Sequence, residues 1–166
     1  LPPATGSVYF VPFLYGSNAG LGMQAGLYGL QSFHGRAHIY QAVYEGVIYS
    51  LMHHLERMRQ RFPAARVLRV TGGPAKSVVW MQMLADISGN SVETPRIAET
   101  GCLGAALVAM VGTGAYPDCP AACAALKPPL DSYRPNPALA DAYATKYRHY
   151  RELIAQLRAF NDTLHP

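Results

Sequence analysis

The stretch RVLRVTGGPAKSVVWMQMLADISGN, Arg66 to Asn90, constrains the fold more than any other part of this chain. A hydrophobic run ends on Gly72-Gly73, and a helical pattern starts almost at once behind Ser77. Strand, glycine corner and helix in that order belong to layered α/β domains. Such a corner brings bare backbone N–H groups to the mouth of a sheet, where a phosphate or nucleoside can sit. A plain tight turn has the same sequence signature, so the glycine pair alone leaves both readings open. It is not a Walker A loop, because Ala75 and not glycine precedes Lys76-Ser77. Nor does the chain contain the Gly-x-Gly-x-x-Gly fingerprint of dinucleotide sites.

The elements around this corner alternate. VYFVPFL, Val8 to Leu14, is β-rich and closes on the glycine loop YGSNAGLG; AGLYGL after it is a second short strand or the turn of a hairpin. From Arg36 to Phe62 the residues Ile39, Val43, Val47, Leu51 and Leu55 recur every four positions, which predicts one long helix stopped by Pro63. ARVLRV, Ala65 to Val70, is a strand. The next helix is capped by Ser77, buries Trp80, Leu84 and Ile87 with Met83 beside them, and ends on Gly89 or Asn90. SVETP reads as a short strand and ETGCLGAALVAMVGTG as a helix of small residues. Residues 117–137 form a proline-rich connector with no convincing long element. A final helix from about Ala138 to Phe160 lines up Tyr143, Tyr147, Tyr150 and Ile154, to pack on its own domain or on another subunit. The organisation expected is a core over 1–116, the connector over 117–137, and a helix and tail over 138–166 of the same α/β domain.

Composition narrows the function classes. Charged residues are 14% of the 166, against about 25% in an ordinary soluble domain, so some surface is expected to be covered by something else. The start at Leu1-Pro2-Pro3, without methionine or a signal-peptide pattern, reads as part of a longer chain. The net charge of +4 is spread out apart from Arg57, Arg59 and Arg61, which argues against a nucleic-acid partner. No apolar run approaches a membrane span. Cys102, Cys119 and Cys123 are too few for a disulfide framework, so a reducing cytoplasm is the expected compartment.

Titratable residues offer little chemistry. His34 and His38 sit four apart and His53 and His54 are adjacent, yet no cysteine or carboxylate stands near them at ligand spacing. Glu45 lies mid-helix in an apolar stretch, where a carboxylate must be paired or hydrogen-bonded; a structural clamp is favoured over a catalytic role. None of Asp86, Asp118, Asp131, Asp141 and Asp162 ends a strand, where an α/β cleft usually presents its acid. No catalytic residue and no metal ligand is assigned on this chain.

Three blocks together resemble the carboxy-terminal part of the FGGY carbohydrate kinases. AGLYGLQSFHGRAHIYQAVYE, Ala25 to Glu45, is similar to the family's second signature through Gly29-Leu30, His38-Ile39, Ala42-Val43-Tyr44 and Glu45. VTGGPAKSVVWMQMLADISGNSVETP resembles the block that wraps adenosine, and ETGCLGAALVAMVGTGAY the helix after it. The resemblance implies a ribonuclease H-like domain of the actin and hexokinase type, the second of two hinged around a cleft. It implies transfer of the ATP γ-phosphoryl group to a sugar hydroxyl with Mg²⁺. Gly72, Gly73, Pro74 and Ser77 would then contact the nucleotide, with Ser77 facing the adenine edge and Lys76 facing solvent. The catalytic aspartate, both phosphate loops and most sugar contacts would lie in preceding sequence, so the implied partners are a small sugar, ATP and an amino-terminal kinase domain of the same chain, with a homodimer as a further option. The branch most resembled handles L-xylulose and is also credited with 3-keto-L-gulonate, so the implied substrate is a ketopentose such as xylulose, with those two favoured. One loop departs from the family, with Asn18 where arginine is usual and Gly20 where proline is. Two other readings remain: a non-catalytic actin-like module that switches protein contacts with nucleotide, and an apolar scaffold whose glycine pair is only a turn.

Overall fold

The computed structural model describes residues 1–16, 22–63, 65–97 and 99–164; the departing loop residues Asn18 and Gly20 lie outside them. Strands β1 (Tyr9–Val11) and β2 (Gly26–Tyr28) pair antiparallel, with Phe10 opposite Leu27. AGLYGL is therefore the second strand of a hairpin, not its turn. Helix α1 (Arg36–Arg59) crosses this hairpin, and Gly46 makes the crossing possible: a Cβ there would stand 2.1 Å from the Phe10 carbonyl oxygen.

A second sheet has the order β3-β4-β5. Strand β3 (Val67–Arg69) runs parallel to β4 (Ser91–Pro95), joined by helix α2 (Val78–Ser88) as a β-α-β crossover. Strand β5 (Leu130–Tyr133) adds antiparallel to β4, with Val92 opposite Tyr133. Helix α3 (Thr100–Gly112) follows β4, then a short helix α4 (Cys119–Ala125), and helix α5 (Ala140–Leu164) ends the chain. The proline-rich 117–137 stretch thus holds both α4 and β5. Asp118 caps α4, its carboxylate accepting from the Ala121 N–H at 2.8 Å, and Pro120 sits in its first turn, where the missing N–H costs nothing.

Among the described residues two hydrophobic cores result. One joins Ile48 and Met52 of α1 to Met81, Leu84 and Ala85 of α2 and to Val92 of β4. The expected inner face of α2 is shifted by one position: Met81 is buried, whereas Trp80 and Ile87 are only partly so. The other core joins Val11, Phe13 and Met23 to Tyr49 of α1 and Tyr150 of α5, with Tyr147 and Ile154 against it. The tyrosine face of α5 therefore packs on its own chain. Buried Asn90 stitches the turn before β4 to both neighbours, accepting from Arg59 at the end of α1 and donating to the Ala65 carbonyl. No helix among the described residues is long and apolar enough to cross a membrane.

Candidate nucleotide-binding corner

The corner forms where β3 stops. Val70 still donates to the Glu93 carbonyl at 2.9 Å, and the chain then leaves the sheet. Gly72 takes φ +87°, which L side chains rarely adopt, so the turn itself demands glycine there. Gly73 has no such constraint. It opens a 3₁₀ turn, Gly73–Lys76, with Pro74 at its start. The proline fixes φ for this helical turn and gives the corner its tight structure.

This turn delivers Ser77 to the N-cap of α2, where its hydroxyl oxygen accepts from the Trp80 N–H at 3.3 Å. The hydroxyl proton remains to donate. No acidic residue occupies the first turn of α2, so the partial positive charge of the helix N-terminus is not offset by a local carboxylate. Trp80 buttresses this end: its indole N–H donates to the Tyr44 carbonyl at 3.1 Å, and its ring stacks on Tyr44 with centroids 5.5 Å apart. That pairing was not legible beforehand, since the contact spans 36 residues and only the aromatic types were visible.

The four expected contact residues are brought together in one short turn. Gly72, Gly73 and Pro74 are exposed and Ser77 is half-buried. A Cβ built on either glycine meets no atom within 4 Å, so the corner is an open shelf and is not packed under its own chain. Lys76 is exposed beside it. A cavity of about 500 Å³ opens between α1 and α2, lined by Tyr40, Tyr44, Val78, Val79 and Met83 among others; Val78 directly follows Ser77, but none of the four expected contact residues lines it.

The other titratable candidates are structural. Glu45 is 1% exposed and is held by Lys146 of α5 through an ion pair and by Gln41, whose Nε2 donates at 3.0 Å. Both carboxylate oxygens are engaged, which is the clamp the sequence called for. The hydroxyl of Tyr9 near this pair is held above the usual tyrosine range, first by burial and then by the Glu45 charge. Buried Asp86 accepts from Gln82 Nε2 at 2.8 Å and from the Asn136 N–H at 2.9 Å, fastening the end of the connector to α2. His34 and His38 use Nδ1 to accept from the Gln31 and Gly35 N–H groups, at 2.9 and 3.1 Å, and so organise the start of α1.

The β-α-β unit with a glycine shelf after its first strand, flanked by long packed helices, is shared with solved sugar kinases of the ribonuclease H-like, actin and hexokinase class. Residues 2–113 match the carboxy-terminal domain of the FGGY family of carbohydrate kinases, and the chain belongs to that family. It is 58% identical over 159 residues to a probable L-xylulose kinase of Pasteurella multocida, covering 96% of this chain and 32% of that one. It is 54% identical over 161 residues to the L-xylulose/3-keto-L-gulonate kinase of Escherichia coli, covering 97% and 32%. Among solved structures, xylulose kinase from Rhodospirillum rubrum superposes with a TM-score of 0.81 at 25% identity, over 98% of this chain and 33% of that one. The chain spans about a third of the length of the curated relatives it matches.

Proposed function

We propose that this chain supplies the nucleotide-binding part of an ATP-dependent kinase that phosphorylates a ketose, with L-xylulose or 3-keto-L-gulonate as substrate. The observation that carries the reading is the open Gly72-Gly73 shelf at the end of β3, with no side chain and no neighbouring atom where a purine nucleoside would lie. Gly72, Gly73 and Pro74 would support the nucleoside on main chain, and the Ser77 hydroxyl would donate to a ring nitrogen. Two relatives more than half identical to this chain, both named for L-xylulose, support the sugar class.

Among the described residues no group of three or more His, Cys, Asp or Glu is placed to hold a metal ion. Mg²⁺ in such enzymes is usually held by one or two carboxylates and the substrate phosphates, so we assign it no ligand on this chain. Phosphoryl transfer rests on positioning and charge stabilisation from both sides of the phosphate, and the shelf provides one side. The 166 residues alone are therefore expected to bind ADP without phosphorylating any sugar.

The test joins this chain to the amino-terminal two thirds of the Pasteurella multocida relative and measures ATP consumption with L-xylulose, 3-keto-L-gulonate, D-xylulose, ribulose and glycerol. Ketose-dependent turnover with preference for the first two is expected. Preference for glycerol, or turnover by the separate 166-residue chain, would refute the assignment.

A further inference from the structure

Helix α2 is held against α1 in two separate ways. Its middle is packed by core residues, where Met81, Leu84 and Ala85 meet Ile48 and Met52 of α1. Its first turn lies outside that packing, and Val78 and Val79 there are 65% and 66% exposed. The tie at this end is Trp80. Its indole N–H donates to the Tyr44 carbonyl at 3.1 Å, and its ring stacks on the Tyr44 ring at an interplanar angle of 25°. A carbonyl inside an α-helix already accepts from the N–H four residues on, so Tyr44 gives its second lone pair to Trp80. A stack and a hydrogen bond made by one side chain fix both the distance and the rotation of the turn.

Two features of α1 make Tyr44 a firm anchor. Its neighbour Glu45 is paired with Lys146 of α5, and Gly46 seats the helix directly on β1. Trp80 is also the third residue of α2, and its own backbone N–H donates to the Ser77 hydroxyl oxygen at 3.3 Å. One residue therefore grips α1 with its side chain and holds the cap with its main chain. The capping bond uses the Ser77 oxygen as acceptor and restricts where the hydroxyl proton can point. A donor oriented before its ligand arrives loses less freedom on binding.

We infer that Tyr44 and Trp80 are positioning residues for the nucleotide: together they hold Ser77 oriented to donate to the base, and nucleotide affinity depends on them through Ser77. Neither residue needs to touch the nucleotide. The inference rests on the reading of the glycine corner as the nucleotide site. It also accounts for an indole N–H committed to a helix carbonyl at a half-exposed position, where water would satisfy it as well.

The test uses the joined chain described above, with calorimetric titration by ADP and initial rates with L-xylulose. Trp80→Phe keeps a ring for the stack and removes the indole donor. It is expected to raise the Kd for ADP about three- to tenfold, the range that one neutral hydrogen bond spans, and to leave the KM for the ketose as it was. Tyr44→Ala leaves every residue of α2 in place and is expected to act alike, whereas Tyr44→Phe, which keeps ring and carbonyl, restores the affinity. In a Ser77→Ala background, Trp80→Phe should add no further loss, because the path through Ser77 is already cut. A merely structural role gives the opposite pattern, with equal losses in both backgrounds and a ketose KM that rises along with the Kd. That pattern, or equal ADP affinity in parent and Trp80→Phe, would overturn the inference and leave the kinase reading standing. Absence of ADP binding by the parent joined chain would overturn both. Should Trp80→Phe fail to fold, Tyr44→Ala with and without Ser77→Ala decides the same question.

Discussion

Gly72 and Gly73 are neighbours with different physical duties. At φ +87° and ψ −165° Gly72 sits in a region open essentially to glycine, and Gly72→Ala is expected to cost about 1–3 kcal/mol of stability. Gly73 has free space around it and no positive φ. Gly73→Val is therefore expected to melt within a degree or two of the parent, yet to weaken ADP binding at least tenfold by placing two methyl groups on the shelf. Calorimetric titration of the chain with ADP, alongside a thermal melt, checks both at once; unchanged affinity would remove the shelf from the nucleotide site. Ser77→Ala separates two roles in the same way. It is expected to cost about 1 kcal/mol through the lost N-cap, and a loss of ADP affinity in the still-folded variant would reveal the second role.

Between elements, the clearest dependency is the Glu45–Lys146 pair joining α1 to α5, both side chains almost wholly buried. Removing one partner leaves an uncompensated buried charge, typically at a cost of about 3–5 kcal/mol. Lys146→Met is expected to fall in that range by urea denaturation, and Glu45→Gln with Lys146→Met together to cost less than the sum of the two. Gly46→Ala should also destabilise strongly, because a methyl cannot fit 2.1 Å from the Phe10 carbonyl without separating α1 from β1. These cases show what the sequence could and could not disclose. The existence of α1, the Ser77 cap and the Gly89 terminus of α2, and SVETP as β4 all rest on local rules and were legible. The Ile39-Val43-Val47-Leu51-Leu55 stripe did not mark the buried face of α1, which is Ala42, Glu45, Gly46, Ile48, Tyr49 and Met52. That Glu45 needed a partner was legible too, from its place in an apolar helix. Which residue answered it was not, since Lys146 stands 101 positions away amid other polar residues. Strand β5 escaped notice because prolines crowd it on both sides, and its pairing with β4 is a tertiary fact. The glycine corner was legible as a turn, while its openness depends on the absence of any other element above it.

For the molecule as a whole, the tyrosine cluster sets the response to alkali. Burial raises the hydroxyl pKa of Tyr49, Tyr143, Tyr147 and Tyr150 well above the ordinary value of 10.0 in the fold. Below pH 10 the folded and unfolded chains both hold these protons, and stability does not depend on them. Above pH 10 the unfolded chain releases protons that the folded chain retains, so stability falls as pH rises. For nearly inaccessible Tyr49 and Tyr150 the loss is at most about 1.4 kcal/mol per pH unit each. Urea midpoints measured from pH 8 to 11 should be flat and then drop. Tyr49→Phe should shallow the drop without lowering stability at pH 8, because the Tyr49 hydroxyl is buried with no hydrogen-bond partner to lose.

Helix α5 lies beyond residues 2–113, which match the family's carboxy-terminal domain, yet Lys146, Tyr147 and Tyr150 complete the interior built by α1 and the hairpin. During synthesis, a nascent chain that has emerged only as far as β4 has Glu45 without its Lys146 counter-charge and Tyr49 without its Tyr147 and Tyr150 neighbours. Stable folding of this half must then wait until α5 clears the ribosome, a delay of order ten seconds at ordinary elongation rates. In that interval the exposed Tyr49 side of α1 is a target for chaperones.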